Sequence, residues 1–446
     1  MDEQPGRDPE DEFREMLRAF LSGEGDIDPA RLASAAGLPN DPEMVAQLIS
    51  QLQGALQSSG EGVNWGLALD QAKGIASRTT VVSLGEERAQ LEQALNIATL
   101  WLAEATSISD LSAPPRLASR TEWVTTTMSI WTQLAEPVAT SIADALTSVL
   151  QEQAPDELDG MVAGASQLVR NVGGTLFAMQ LGQVVGQLSS EVVSGGDIGI
   201  PLFTVGDEVQ AAMIPQNVGA FASGLDIPLD QVQLYLAVRE IAHARLFRHA
   251  KWLRLRLLTS ISAFAHGIRI DTERLEEVAG DLDPTNPEQL REALTSGALI
   301  PPKTEDQLAA LERLETMLAL IEGWVDVVTA EATSRLPKRD AIAETVRRRR
   351  ASGGPAESAF ATLVGLELRP RRLREAAAMW SAVGQAVGSE GRDALWAHPD
   401  LLPTAEDVTD PTALIARLSD PEPPRDDLDQ AIEDLLNDAD DRPTES

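Results

Sequence analysis

The sequence predicts a mostly α-helical protein with a few short strands before its longest amphipathic helix. Apolar residues recur at the 3.6-residue spacing of an α-helix, as between Leu91 and Leu102. A short extended segment leads directly into the longest run with this spacing, which begins near Leu229. Helices are predicted around residues 91–102, 122–153, 158–193, 229–266, 304–334, 340–350 and 371–388.

The segment from Ile198 to Ile227 departs from the helical pattern. Prolines punctuate it at Pro201 and Pro215. Its short apolar runs, residues 211–214 and 220–222, predict brief strands or extended loop.

The length of 446 residues exceeds the usual size of one hydrophobic core, so one two-lobed domain or two domains fit it. We predict one two-lobed domain over residues 26–418. The flanking segments, 1–25 and 419–446, are acidic and contain proline, which predicts disordered tails. An apolar cluster in the second tail leaves open that it docks as a helix on a partner: Leu428, Ile432, Leu435 and Leu436.

Charge and composition restrict the function classes. The chain has 36 basic and 70 acidic residues, a net charge of -34, which argues against general affinity for nucleic acid or anionic membranes. It has no cysteine, which excludes disulfides, thiolate zinc sites and a cysteine nucleophile. The first residues lack the basic and apolar regions of a secretory signal, so a cytoplasmic location is expected.

No membrane span is predicted, because no window reaches about 18 uninterrupted apolar residues. The nearest candidate, residues 177–193, is interrupted by glutamines and a glutamate. Its Gly182 and Gly186 suit a tightly packed pair of helices.

The predicted helix from Leu229 carries the first candidate site. Zinc peptidases of the H-E-x-x-H type place two histidine ligands four residues apart, with a glutamate general base after the first. Here the string is Arg239-Glu240-Ile241-Ala242-His243. Arg239 stands where the first ligand would be, and its protonated guanidinium has no lone pair for a metal. The alternative is that Glu240 lies at the surface beside a packed His243 and that neither residue has a role in metal binding.

A second candidate site lies in the predicted helix around residue 322. Glu322 and Asp326 are four residues apart and therefore share one face. Zinc peptidases with a glutamate third ligand often supply it from such a pair, with the aspartate orienting a ligating histidine. The alternative is a solvated acidic face, although Gly323 and Trp324 favour close packing.

These segments resemble the zincin-like metallopeptidase family of actinobacterial hydrolases. The similarity spans about residues 60–405. It includes residues 239–247 followed by Trp252-Leu253-Arg254, residues 62–65, 321–326 and 365–374, and the run from Trp396 to Pro403. The resemblance implies a mostly helical, zincin-like fold with a metal site between two lobes.

The resemblance also implies residue roles. Glu240 would be the general base, and His243 and Glu322 would be metal ligands. Asp326 would hold and orient a ligating histidine. With the ligand position at Arg239 lost, two protein ligands remain, one fewer than a catalytic zinc site normally uses. Zinc is the cofactor that the family implies, and no other cofactor site is predicted.

Three other histidines are candidates for the missing ligand. His249 lies about 240° around the helix from His243 and therefore faces elsewhere. His266 and His398 could approach only through tertiary folding, and each is expected to be structural.

Arg239 suggests a replacement for the metal. A guanidinium suits a carboxylate, so we predict that Arg239 pairs with Glu322 and that its charge stands in for the ion. Two functions follow. The first is a degenerate metallopeptidase kept as a binding or scaffold protein for a protein or peptide; the second is an active metallohydrolase that recruits an unseen ligand.

Two arginine clusters, residues 347–350 and 369–374, complete the candidates. The plain interpretation is pairing with internal carboxylates or a solvated helix face. The functional interpretation is a binding site for phosphate or for an acidic partner. Nucleic acid is disfavoured, because no aromatic residues interleave the arginines.

Overall fold

The computed structural model describes residues 63–80, 85–153, 159–206, 208–267, 303–351, 355–366 and 371–419. The helices of these ranges are α1 Trp65–Arg78, α2 Gly85–Ala105, α3 Arg120–Gln153, α4 Asp159–Leu188, α5 Pro215–Ser223, α6 Leu229–His249, α7 Lys251–His266, α8 Glu305–Ala332, α9 Arg339–Ala351, α10 Pro355–Val364, α11 Leu373–Ala394, α12 Ala405–Thr409 and α13 Thr412–Ser419. A 3-10 helix covers Pro399–Leu401. The predicted tail residues 1–25 and 420–446 lie outside the described residues, and the domain boundaries stay a prediction.

The described strands are four pairs of residues: β1 Arg116–Leu117, β2 Thr204–Val205, β3 Glu208–Val209 and β4 Ala212–Met213. β1 pairs in parallel with β4, and β2 pairs antiparallel with β3. All four precede α6, and three of them lie between residues 204 and 213, within the segment for which the sequence predicts short strands. The mostly helical fold class is confirmed.

The extended structure expected at residues 220–222 is wrong. These residues lie in α5, which begins at Pro215. Proline at the first helical position has a φ already suited to a helix, and its missing N–H is not needed there. Pro215 therefore starts a helix and does not mark an extended segment.

The apolar faces of the helices meet in a continuous core. α4 packs along α1, α6 packs against α2 and α8, and α8 also packs against α11. Buried tryptophans fix the last contact: Trp380 stacks on Trp396 with ring centroids 5.4 Å apart, and Trp324 meets Trp396 edge-on at 6.4 Å. The Trp324 indole donates to Asp393 at 2.8 Å, so its polar edge is also satisfied.

The glycines of α4 have the role that their spacing suggests. A Cβ on Gly182 would lie 2.6 Å from the Ala68 carbonyl oxygen of α1, so only a glycine permits this approach. Gly186 makes a similar approach to Ile75. Among the helices in the described ranges, none is long and apolar enough to cross a bilayer.

Candidate functional site

The helix α6 brings three of the predicted site residues into the interior. Arg239 and His243 lie four residues apart and face the same side, while Glu240 faces the strands. All three side chains are buried, although α6 begins and ends near the surface. The pattern E-x-x-H is therefore not a surface glutamate beside a packed histidine.

Glu322 on α8 meets α6 at this point and is fully buried. Its carboxylate accepts hydrogen bonds from the guanidinium groups of Arg239 and Arg350. The Nε2 atom of His243 lies 3.2 Å from Glu322 Oε1. The predicted pair between Arg239 and Glu322 is present, and Arg350 of α9 joins it.

The two guanidinium groups decide the ionisation of Glu322. Burial alone would raise the pKa of this carboxyl, but the charges of Arg350 and Arg239 outweigh it and hold the pKa well below its usual range. Burial alone would lower the pKa of Arg239, but the charge of Glu322 outweighs burial and holds this pKa above its ordinary value. The buried group is thus a carboxylate clamped by two cations.

Glu240, the predicted general base, is engaged by the backbone. Its Oε2 accepts from the N–H of Gly196 and its Oε1 from the N–H of Ala212, each at 3.0 Å. Burial raises the pKa of Glu240 above its ordinary value, against these hydrogen bonds and the nearby His243. Glu240 therefore ties α6 to β4 and to residues 193–199, which form a turn before β2 (the 193–199 turn).

Asp326, predicted to orient a ligating histidine, lies beside a different partner. Its carboxylate accepts from Arg347 of α9, from Nη2 at 2.7 Å and from Nε at 3.1 Å. The residue is buried one helical turn after Glu322, so the acidic pair of α8 does not form a solvated face. Each of the two carboxylates is held by an arginine of α9.

The first arginine cluster pairs with carboxylates along its whole length. Besides the pairs of Arg347 and Arg350, the other two arginines bond Glu344 and Asp197, at 2.9 and 3.0 Å. In the second cluster the described arginines pair with Glu315, Glu375 and Glu344. Arg369 lies outside the described residues.

The turn before the strands covers the site. Asp197 accepts from the N–H of Val193 at 2.9 Å, and its carbonyl oxygen accepts from Arg350 at 2.7 Å. Gly199 has φ +78°, a conformation that favours glycine. A Cβ there would lie 2.8 Å from Glu322 Oε1 and would also strike Arg350. The 193–199 turn packs directly over the clamp, the group formed by Glu322, Arg239 and Arg350, because Gly199 has no side chain.

A small cavity lies between the turn, α6 and α9. Arg239, Arg349, Arg350 and His243 are among its lining residues. The cavity has a volume of about 10 Å³, close to what one water molecule requires. Two buried guanidinium atoms of its lining residues have no hydrogen-bond partner within the part of the chain that the structure describes: Nη1 of Arg239 and Nε of Arg350.

The three other histidines lie at the surface. His249 and His266 are exposed, and the ring of His266 bonds the Ser262 carbonyl oxygen at 2.7 Å. His398 is exposed and caps the 3-10 helix beside Asp400. Within the described ranges, no three His, Cys, Asp or Glu side chains are placed to hold a metal ion together.

The residues present do not fit the zinc ion that the resemblance implies. His243 Nε2 and Glu322 Oε1, 3.2 Å apart, are near the roughly 3.4 Å that separates two tetrahedral zinc ligands. However, the guanidinium groups of Arg239 and Arg350 bond the same carboxylate. A dication there would meet two fixed positive charges, and neither guanidinium can become a ligand.

Sequence reasoning missed Arg350, Asp197 and Gly199 as parts of this site. The arginine run of residues 347–350 was a visible signal, since so many cations in one helix need partners. Its connection to Glu322 depends on how α9 packs against α6 and α8, which no local pattern shows.

Comparison with known proteins agrees with the predicted family and the mostly helical fold. Residues 63–415 match the family model of zincin-like metallopeptidases. A crystal structure from Chloroflexus aurantiacus, described as that of "a putative hydrolase with a novel fold", is similar with a TM-score of 0.54 and 18% identity. The alignment covers 81% of this chain and 100% of that one. No curated protein matches the sequence. Because the family model spans most of the chain, this protein belongs to the zincin-like metallopeptidase family.

Proposed function

We propose that this protein is a non-hydrolytic member of its family that acts by binding a protein or peptide. One observation carries the proposal: Glu322, the predicted metal ligand, is clamped by the guanidinium groups of Arg239 and Arg350. Two fixed cations supply the positive charge that a metal would otherwise bring to this buried carboxylate.

The surroundings of Glu240 support the same proposal. A general base must reach the group from which it takes a proton. Both oxygens of Glu240 already accept backbone N–H groups at 3.0 Å, so the carboxyl is used to hold the turn. Its retention in a protein without peptidase activity then has a structural reason.

The alternative is an active metallohydrolase that uses Glu240 as general base. The approach of His243 Nε2 to Glu322 Oε1 favours it, since two donors are at a spacing suited to one metal. It requires Arg239 and Arg350 to leave Glu322 and a further ligand to enter.

One experiment separates the two functions. The full chain is dialysed against zinc, its metal content is measured, and it is incubated with a peptide library that is analysed by mass spectrometry. We expect well under one zinc per chain. We also expect the peptides that stay bound to the protein to be intact, without new termini. About one zinc per chain, with cleavage that disappears in Glu240→Gln, would establish the hydrolase instead.

A further inference from the structure

We propose that the exposed face of α7 is a docking surface for the chain's own acidic C-terminal segment, residues 420–446. The apolar cluster of this acidic segment would lie as a helix across Leu255, with acidic side chains on both sides of it. This inference is independent of the binding function proposed above, because it involves no residue of the clamp.

The helix α7 is buried on one side, where it packs against α3 and α8. The buried apolar residues of that side include Leu253, Leu257 and Ile261. On the other side Leu255 is 69% exposed, and the exposed residues Lys251 and Arg256 flank it around the helix. A large apolar side chain between two cations suits an amphipathic helix whose apolar stripe has acidic borders.

The charge of this region differs from that of the whole chain. About one residue in six of the sequence is acidic, with 70 in 446, yet residues 241–270 contain no Asp or Glu. No ion pair of the described residues includes Lys251 or Arg256. Both cations are therefore available to an acidic segment, whereas the net charge of -34 disfavours an anionic membrane as the occupant.

The acidic segment has the complementary pattern. Its 27 residues include eleven acidic and two basic ones. In a helix, Leu428, Ile432 and Leu435 would form one apolar stripe, with Asp427 and Asp429 on either side of it. The stripe matches the exposed leucine of α7, and the acidic borders match its two flanking cations.

The position of α7 brings this segment within reach. The Trp252 indole donates to the Trp396 carbonyl oxygen at 3.3 Å, so the first turn of α7 lies beside the end of α11. The helices α12 and α13 pack on α11, and α13 ends at Ser419. The nine residues from there to Leu428 can span up to about 30 Å. Such a tether gives an effective concentration on the order of 1 mM, at which a weak contact suffices for docking.

The test uses the absence of cysteine from the chain, since one pair of thiols can be introduced at a time. Leu255→Cys is combined with Ile432→Cys in the full chain, and the rate of disulfide formation in dilute protein is followed on non-reducing gels. The pair Leu100→Cys/Ile432→Cys is the matched control, because Leu100 lies on α2 and is 70% exposed. Both pairs are repeated with Leu428→Cys and with Leu435→Cys, so that each register of the docked helix is covered.

We expect the Leu255→Cys pair to close at least about tenfold faster than the Leu100→Cys pair at one or more of the three tail positions, because docking raises the local thiol concentration above that of a free tether. Adding Arg256→Glu should slow the fastest pair toward the control rate. Arg88→Glu makes the same charge change at an exposed position of α2 and should leave that rate unchanged.

Two results would overturn the proposal. Equal rates for the Leu255→Cys and Leu100→Cys pairs at all three tail positions would show that the segment does not dock on α7. A disulfide between two chains, with a yield that rises with protein concentration, would assign the surface to the segment of a second copy.

Discussion

Arg239 on α6 and Glu322 on α8 form a buried ion pair one helical turn from His243, so that a guanidinium bonds the carboxylate predicted to bind a metal. The side chains are 9% and 0% exposed. Because Arg350 bonds the same carboxylate, the interaction is a clamp of three charged groups from three helices. Its consequences for stability and metal binding can be measured.

Removal of Arg239 should destabilise the protein. Arg239→Ala leaves Glu322 buried with one cation in place of two, and the loss of a partner from a buried ion pair costs about 3 kcal/mol. The free energy of unfolding is measured in urea. Arg348→Ala, which removes an arginine from an exposed pair with Glu344, is the control and should cost less than about 1 kcal/mol. Equal losses in the two variants would show that the clamp contributes no special stability.

The turn over the clamp should tolerate no side chain at Gly199. In Gly199→Ala the new Cβ meets Glu322 and Arg350 in addition to the strain of φ +78°, and we expect a loss of about 3 kcal/mol. Gly388→Ala is the control, since Gly388 has φ +77° and no atom within 4 Å of its Cβ position. Gly388 also has ψ 175°, a backbone region that is nearly exclusive to glycine, so that variant should lose the backbone strain alone, about 2 kcal/mol. If both alanines cost the same in thermal or urea unfolding, the turn does not pack tightly on the clamp.

Zinc binding should require the removal of both guanidinium groups. Arg239→His restores the first ligand position, but Arg350 still bonds Glu322 Oε1, the oxygen nearest His243. The double variant Arg239→His/Arg350→Gln frees this oxygen, and we expect it to bind close to one zinc per chain in elemental analysis. The single variant should bind much less. A full equivalent of zinc in Arg239→His alone would mean that Arg350 does not block the metal position.

The clamp should lose its stabilising effect in acid. The folded-state pKa of Glu322 lies below the ordinary value of 4.5, so its contribution is complete above pH 4.5 and is lost as the pH falls through the folded-state pKa. Glu322→Gln should therefore be markedly less stable than the natural protein at neutral pH, with a smaller difference as the pH falls below 4.5. A difference that stays constant with pH would rule out the depressed pKa.

Glu240 should show the opposite dependence. Its folded-state pKa is raised above 4.5, so the folded protein binds a proton where the unfolded chain has released it. Stability linked to Glu240 is then complete below pH 4.5 and is lost as the pH rises through its folded-state pKa. The free energy of unfolding is measured in urea between pH 4 and 8 for the natural protein and for Glu240→Gln. As the pH rises, the variant should gain stability relative to the natural protein. No shift would mean that the pKa is not raised.

The predicted helices and the observed ones differ mainly in detail. The run expected at residues 229–266 is divided at Ala250 into α6 and α7, and helix α5 replaces an expected extended segment. Periodicity indicates which faces are buried, but it does not distinguish a helix begun by proline from a loop interrupted by one. The glycine spacing of α4 indicated close packing, and α1 proved to be the neighbour.

The sequence by itself determined the mostly helical fold, the family and the residues Arg239, Glu240, His243 and Glu322, because helical periodicity and motif spacing are local properties of the chain. It also made the pairing of Arg239 with Glu322 predictable, since a guanidinium stabilises a buried carboxylate. Only the tertiary structure decided that Arg350 completes the clamp, that Asp326 bonds Arg347, and that Glu240 holds a turn. These contacts join residues from 21 to 44 positions apart, and the packing of α6, α8, α9 and the turn against one another sets their geometry.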